Sequence, residues 1–158
     1  MSVHQKTFML RAIELAREGM RAGHGGPFGA VIVREDQIVG EGWNRVIVDN
    51  DPTAHGEVQA IRNACSKLET FDLSGCEIHT TGEPCPMCLG AIHWARLDRI
   101  HYGFRIEDAA RGGFDDVSFY QSFARPSEDS RIPAFQLLPE EAGALIDEYL
   151  ASEQRVRY

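Results

Sequence analysis

Positive charge is scarce in this chain: 16 Lys and Arg stand against 24 Asp and Glu in 158 residues, a formal net charge of -8. That deficit argues against a broad phosphate-binding surface, because such binding depends on Lys and Arg displacing counterions, so long nucleic acid is a poor expectation as a partner. Long apolar runs are missing too, which excludes a membrane-spanning helix. The start, Met1-Ser2-Val3-His4-Gln5-Lys6, lacks the basic flank and apolar run of a signal peptide, and the expectation is a soluble, cytoplasmic protein. There is no internal repeat, low-complexity tract or dividing linker, and the length suits one well-packed domain over 1–158. Cysteines number only four, and in a non-secreted chain a Cys-x-x-Cys pair reads first as metal or redox chemistry. Cys65 and Cys76 sit in apolar surroundings without ligand spacing and read as buried, inert thiols.

What is present is an alternation of periods. Met9, Ile13, Ala16 and Met20 mark one stripe of an opening helix ended by Gly23. Phe28 to Val33 and Ile38 to Trp43 are short runs rich in β-branched residues around a polar Glu35-Asp36-Gln37, the pattern of a hairpin. A helix is expected from His55, with Asp51, Pro52 and Thr53 capping and opening it. Strands follow at Cys76 to Thr81, Arg99 to Phe104 and Ala134 to Leu138, with helices over Pro86 to Ala95 and Glu140 to Ser152. Strands alternating with helices after a hairpin imply an α/β fold, a three-layer α/β/α sandwich around a mixed five-stranded sheet.

Two short motifs carry the chemistry. His55-Gly56-Glu57 opens one predicted helix and Pro84-Cys85-Pro86-Met87-Cys88 another, the His-x-Glu and Pro-Cys-x-x-Cys signature of zinc deaminases. With Cys85 as cap and Pro86 at the first helical position, both sulfurs lie near a helix N-terminus, where dipole and metal favour thiolates. Two thiolates and one imidazole suit one tetrahedral Zn²⁺ per chain and leave a position for water, whose pKa the ion lowers to about 7. Mid-helix, His-x-Glu would splay its side chains apart, so the motif requires a helix mouth, where Glu57 can collect that proton. A closed structural site, with Cys76, His79 or another side chain as fourth ligand and Glu57 merely a surface residue, is the competing reading. The remaining histidines, His4, His24, His79, His93 and His101, have no partner at ligand spacing and are expected to be structural or solvent-facing.

At these residues, and at Pro27-Phe28-Gly29-Ala30-Val31, Asn44, Gly113-Phe114-Asp115-Asp116 and Tyr158, the chain resembles the cytidine-deaminase-like superfamily and, within it, the bacterial guanine deaminases. The resemblance implies hydrolytic deamination of guanine to xanthine and ammonia, with His55, Cys85 and Cys88 as zinc ligands and Glu57 as general acid and base. It implies that Asn44 hydrogen-bonds the base, Phe28 packs on its ring, Asp116 accepts from its N–H groups, and Tyr158 arrives from a partner subunit through an exchanged C-terminal segment of a homodimer. The residues alone also admit Asn44 as a strand end, Phe28 as core, Asp115-Asp116 as a solvated pair and Tyr158 as a frayed terminus. Guanosine, an aminated triazine such as ammeline, a pterin or tRNA adenosine are the alternative substrates, and an inactive zinc-binding interaction module the alternative of another class. Two departures from the resemblance are Gly56, where Ala is usual, and Gly82, expected to widen the pocket.

Overall fold

The computed structural model describes residues 3–124, 132 and 134–152. They form two compact units, Met1–Tyr120 and Gln121–Tyr158. In the first unit a four-stranded mixed sheet is built from β1 (Gly29–Arg34), β2 (Gln37–Trp43), β3 (Cys76–Gly82) and β4 (Arg99–Phe104), in the order β2-β1-β3-β4. β1 is antiparallel to both β2 and β3, and β3 runs parallel to β4. The hairpin closes on Glu35 and Asp36, both at positive φ, the twist-matched two-residue turn, here made without glycine.

Helices cover both faces, because β1, near the middle of the sheet, is apolar and buried on both of its faces. On one side α1 (Val3–Arg21) buries Phe8, Ala12 and Leu15 against Val31 and Val33. Its buried stripe is rotated from the expected one: Met20 is exposed and Gly19 is buried. The reason is Trp43, whose ring lies where a side chain on Gly19 would project. On the other side α3 (Gly56–Leu68) and α4 (Pro86–Trp94) enclose Ala30, Ile32 and Ile78 with Ala60, Ala64 and Ile92. The three-layer arrangement read from the sequence is therefore present, with four strands among the described residues where five were expected.

The fifth strand expected over Ala134 to Leu138 is not formed; these residues have no regular structure. Phe135 is 90% and Leu137 80% exposed. An apolar run sets β propensity, but a strand also needs a ladder partner for its backbone N–H and C=O groups, and this segment pairs with none among the described residues. The second unit contains α7 (Pro139–Ala151), one residue out of phase with expectation. Three short helices, α2 (Val46–Asp49), α5 (Ile106–Arg111) and α6 (Asp116–Phe123), were not legible from periodicity, being too brief to show one.

The layer that carries the site rests on glycines. A Cβ on Gly42 would stand 2.3 Å from the Ala60 backbone nitrogen and 2.4 Å from the Gly56 carbonyl oxygen, so α3 lies directly on the β2 backbone. We expect Gly42→Ala to cost about 1–3 kcal/mol, the usual range for overpacking, read by chemical denaturation. Across the sheet α1 is tied to β2 by a two-pronged ion pair, Arg11 Nε to Glu41 Oε1 at 2.8 Å and Nη2 to Oε2 at 3.0 Å. That hydrogen bonding holds the Glu41 carboxyl below its ordinary 4.5. A depressed carboxylate pKa contributes stability that is present above the ordinary value and lost as pH falls through the folded one. The pair is partly solvent-screened, so its contribution is about 0.5–1 kcal/mol. Thermal unfolding of Glu41→Gln should lie below wild type at pH 7, and the difference should close as pH falls below the ordinary carboxyl value and through the lowered folded one.

Candidate active site

Two helix mouths meet at the site. His55 is the N-cap of α3 and Cys85 the N-cap of α4, each with an extended backbone, and Pro86 takes the first helical position of α4. A proline there loses no hydrogen bond, because that N–H is an orphan in any helix. Asp51 is not a helix cap: its carboxylate accepts the N–H and hydroxyl of Thr53, at 2.8 and 2.7 Å, closing a turn before His55. Glu57 then falls within the first turn of α3 and is only 3% exposed.

His55 Nδ1 lies 3.6 Å from Cys85 Sγ and 3.5 Å from Cys88 Sγ. A tetrahedral ion with metal–sulfur bonds of about 2.3 Å and metal–nitrogen bonds of about 2.0–2.1 Å separates its sulfur and nitrogen donors by about 3.5–3.6 Å. The three donors therefore fit zinc, and no further His, Cys, Asp or Glu among the described residues joins them. The two candidates for a fourth protein ligand are committed elsewhere: Cys76 is packed in the core and His79 bonds Glu77. The thiols themselves are asymmetric. A hydrogen bond from Cys88 is the main influence drawing Cys85 down to about 4, burial opposing it and His55 assisting, while the same bond and burial push Cys88 up. Burial is also the main cause of the raised pKa of Glu57, reinforced by the charge of Cys85. Cys65 and Cys76 have thiols pushed up by burial, which fits inert core cysteines.

A cavity of about 260 Å³ opens beside these donors, with Phe28, Asn44, His55, Glu57, Cys85 and Asp116 in its wall. The sequence reading named all six. Asn44 is buried, and its Oδ1 accepts the N–H groups of Gly26 and Val46 at 3.3 Å each, leaving the amide NH₂ as the part available to a ligand. Gly25 is required here, because a Cβ would sit 1.9 Å from that Oδ1. The Asp115-Asp116 pair divides: Asp115 is exposed, whereas Asp116 is buried at the start of α6, its carboxyl raised mainly by desolvation and next by the charge of Cys85. Phe28 is half-buried and meets Phe114 edge-on at 4.8 Å between centroids. Tyr158 lies outside the described residues.

Sequence reasoning assigned no role to Phe114, Glu83 or Tyr120. Phe114 and Glu83 both line the cavity; Glu83 accepts the Ile106 N–H at 3.3 Å. Tyr120 donates its hydroxyl to the Pro84 carbonyl at 2.8 Å, fastening α6 to the loop that presents Cys85. Phe114 stood within a motif already quoted and Glu83 immediately precedes one, but Tyr120 is an isolated aromatic with no local signal. The expectation for Gly82 is also corrected, and the structure gives Gly56 a packing reason. Gly82 does not widen the cavity: the Phe104 ring occupies the position of its Cβ, within 2.7 Å. Gly56 lets α3 approach β1, since a Cβ would stand 2.9 Å from the Phe28 carbonyl oxygen. Of the histidines expected to be structural or solvent-facing, His24 accepts the Trp43 indole N–H at 3.0 Å, and His79 and His101 share Glu77.

The sequence of residues 2–104 matches the family described as the cytidine and deoxycytidylate deaminase zinc-binding region. A guanine deaminase of Bacillus subtilis is 50% identical over 135 residues, covering 85% of this chain and 86% of that protein. A tRNA-specific adenosine deaminase of Aquifex aeolicus is 38% identical, covering 84% and 87%. The crystal structure of guanine deaminase from Bacillus subtilis superposes with a TM-score of 0.94 at 45% identity, covering 100% of this chain and 99% of that one. With its zinc donor set in place, the chain belongs to the cytidine and deoxycytidylate deaminase zinc-binding family.

Proposed function

We propose that this protein hydrolyses guanine to xanthine and ammonia, with one zinc ion held by His55, Cys85 and Cys88. The observation that carries the reading is the buried Glu57 carboxyl, set in the wall of a cavity that also presents the zinc donors His55 and Cys85, an aromatic pair, an amide and the carboxyl residues Glu83 and Asp116. When bound, the zinc ion supplies Lewis acidity, which makes water acidic enough to react at neutral pH.

The chain's own residues do the remaining work. Glu57 takes a proton from water, passes it to a ring nitrogen beside the carbon under attack, and later delivers a proton to the departing amine, so that water adds and ammonia leaves. Burial raises its pKa, which suits a group that must serve as acid and as base in turn. The Asn44 amide donates to the base carbonyl, Asp116 accepts its N–H groups, and Phe28 packs on the ring with Phe114 beside it. A carboxylate facing two N–H groups of a purine discriminates strongly, because an analogue lacking them leaves a desolvated charge unpaired.

The same reading makes the working form a cytoplasmic homodimer whose C-terminal segments are exchanged, with Tyr158 of each segment closing the other subunit's cavity. It is supported by α7, which has no buried residue and exposes Leu145, Ile146, Tyr149 and Leu150, an apolar stripe suited to a partner. Among the described residues no helix is long and apolar enough to cross a membrane. The acidic balance and a cavity closed by a tail favour a free base over a base within a polynucleotide.

The test is ammonia release from guanine, guanosine, adenine, cytosine and ammeline, each offered separately. Guanine should be turned over fastest, and Glu57→Gln should retain zinc while losing at least about 100-fold in kcat, the low end for a positioned acid–base group. Preference for another of these compounds, or substantial turnover by Glu57→Gln, would contradict the reading. Removal of Tyr158 should lower kcat/KM for guanine with zinc content unchanged; unaltered kinetics would contradict tail closure.

A further inference from the structure

Glu77, His79 and His101 form a second cluster whose ligand atoms all lie within 4.8 Å of one another. The fold makes it by register. His79 and His101 are direct partners across the parallel β3–β4 ladder, and Glu77, two residues before His79, points to the same face. The two imidazoles stack at 4.4 Å between centroids with their planes 16° apart. Each turns Nε2 toward a different oxygen of one carboxylate: His79 to Oε1 at 3.0 Å and His101 to Oε2 at 3.2 Å. His79 is fully buried and braced by the edge of Phe8, whereas Glu77 and His101 are about three-quarters buried.

We propose that this cluster is a second metal site, binding one first-row divalent cation such as Ni²⁺ through the two Nε2 atoms and the Glu77 carboxylate. Two imidazoles and a carboxylate are the donors such ions prefer. For an ion about 2.1 Å from each donor, the nitrogen–oxygen separations subtend about 90–100°, the angles of tetragonal or octahedral coordination and not those of the thiolate site. The two rings stand on adjacent strands with the carboxylate between their Nε2 atoms, and coordination requires them to tilt from their stacked arrangement so that lone pairs now running side by side converge on one ion. Of the three ligands Glu77 also lines a groove, together with Glu35, Asp36, Asp98 and Arg99, whose excess of carboxylates attracts cations to the edge of the cluster. Arg99 competes, with Nη1 3.6 Å from Glu77 Oε2, but its side chain is two-thirds exposed and free to swing outward. The site is separate from the catalytic one: His79 faces α1, whereas His55, Cys85 and Cys88 come from helices packed on the opposite face of the sheet. Its role is therefore to staple β3 to β4.

The probe is Ni²⁺ added to protein already carrying one zinc per chain, with both metals counted after equilibrium dialysis. Wild type should hold one zinc and one nickel, and its Tm should rise with nickel concentration. Glu77→Gln and His101→Ala should keep their zinc and their deaminase activity, bind nickel at least tenfold more weakly, and show no nickel-dependent rise in Tm. In wild-type protein, Ni²⁺ should broaden the imidazole NMR signals of His79 and His101 before those of the other histidines, a readout independent of any substitution. No nickel beyond the zinc, equal nickel binding by both variants, or first broadening at another histidine would overturn the proposal.

Discussion

The convergence of two helix mouths on one point is the constraint that organises this molecule. Three soft or borderline donors from α3 and α4 must stand about 3.5 Å apart, which requires both helices to begin beside the same end of the sheet. Helix N-termini suit this because their orphan N–H groups and dipoles favour thiolate. The glycines of β2 follow from the same requirement. By removing side chains at 40 and 42 they let α3 rest on the strand backbone, which seats His55 and Glu57 at fixed depth.

Around that point the cavity wall is assembled from elements far apart in sequence. Phe28 enters β1, Asn44 leaves β2, and Asp116 opens α6, while the Tyr120 hydroxyl fastens α6 to the cysteine loop. Each side chain presents one kind of group to the interior: an aromatic ring, an amide already anchored through its oxygen, a carboxyl made less acidic by burial. Anchoring Asn44 by two backbone N–H groups is what makes it directional, since a free amide could turn either end to a ligand.

The parts of this structure legible in the sequence were those encoded locally. Cys85-Pro86 announces a helix start because proline tolerates only that helical position, and His-x-Glu has a sensible geometry only at a helix mouth. Glu35-Asp36 between two β-branched runs marked the hairpin. The illegible parts depend on tertiary partners. Ala134 to Leu138 has the composition of a strand, but composition does not supply an edge to pair with. The stripe of α1 turned because Trp43, more than twenty residues later, needed the space at Gly19. Gly82 looked like extra room until the Phe104 ring, from the neighbouring strand, was found in it. His79 and His101 lacked partners at sequence spacing and acquired each other only through the β3–β4 register.

X-ray absorption at the zinc edge, on protein carrying a single zinc equivalent, tests the central arrangement most directly. Two sulfurs at about 2.3 Å and two lighter atoms at about 2.0–2.1 Å are expected, one of them the His55 nitrogen and the other exchangeable with added small anions. A shell with one sulfur or none, or two fixed imidazole nitrogens and no exchangeable position, would contradict it.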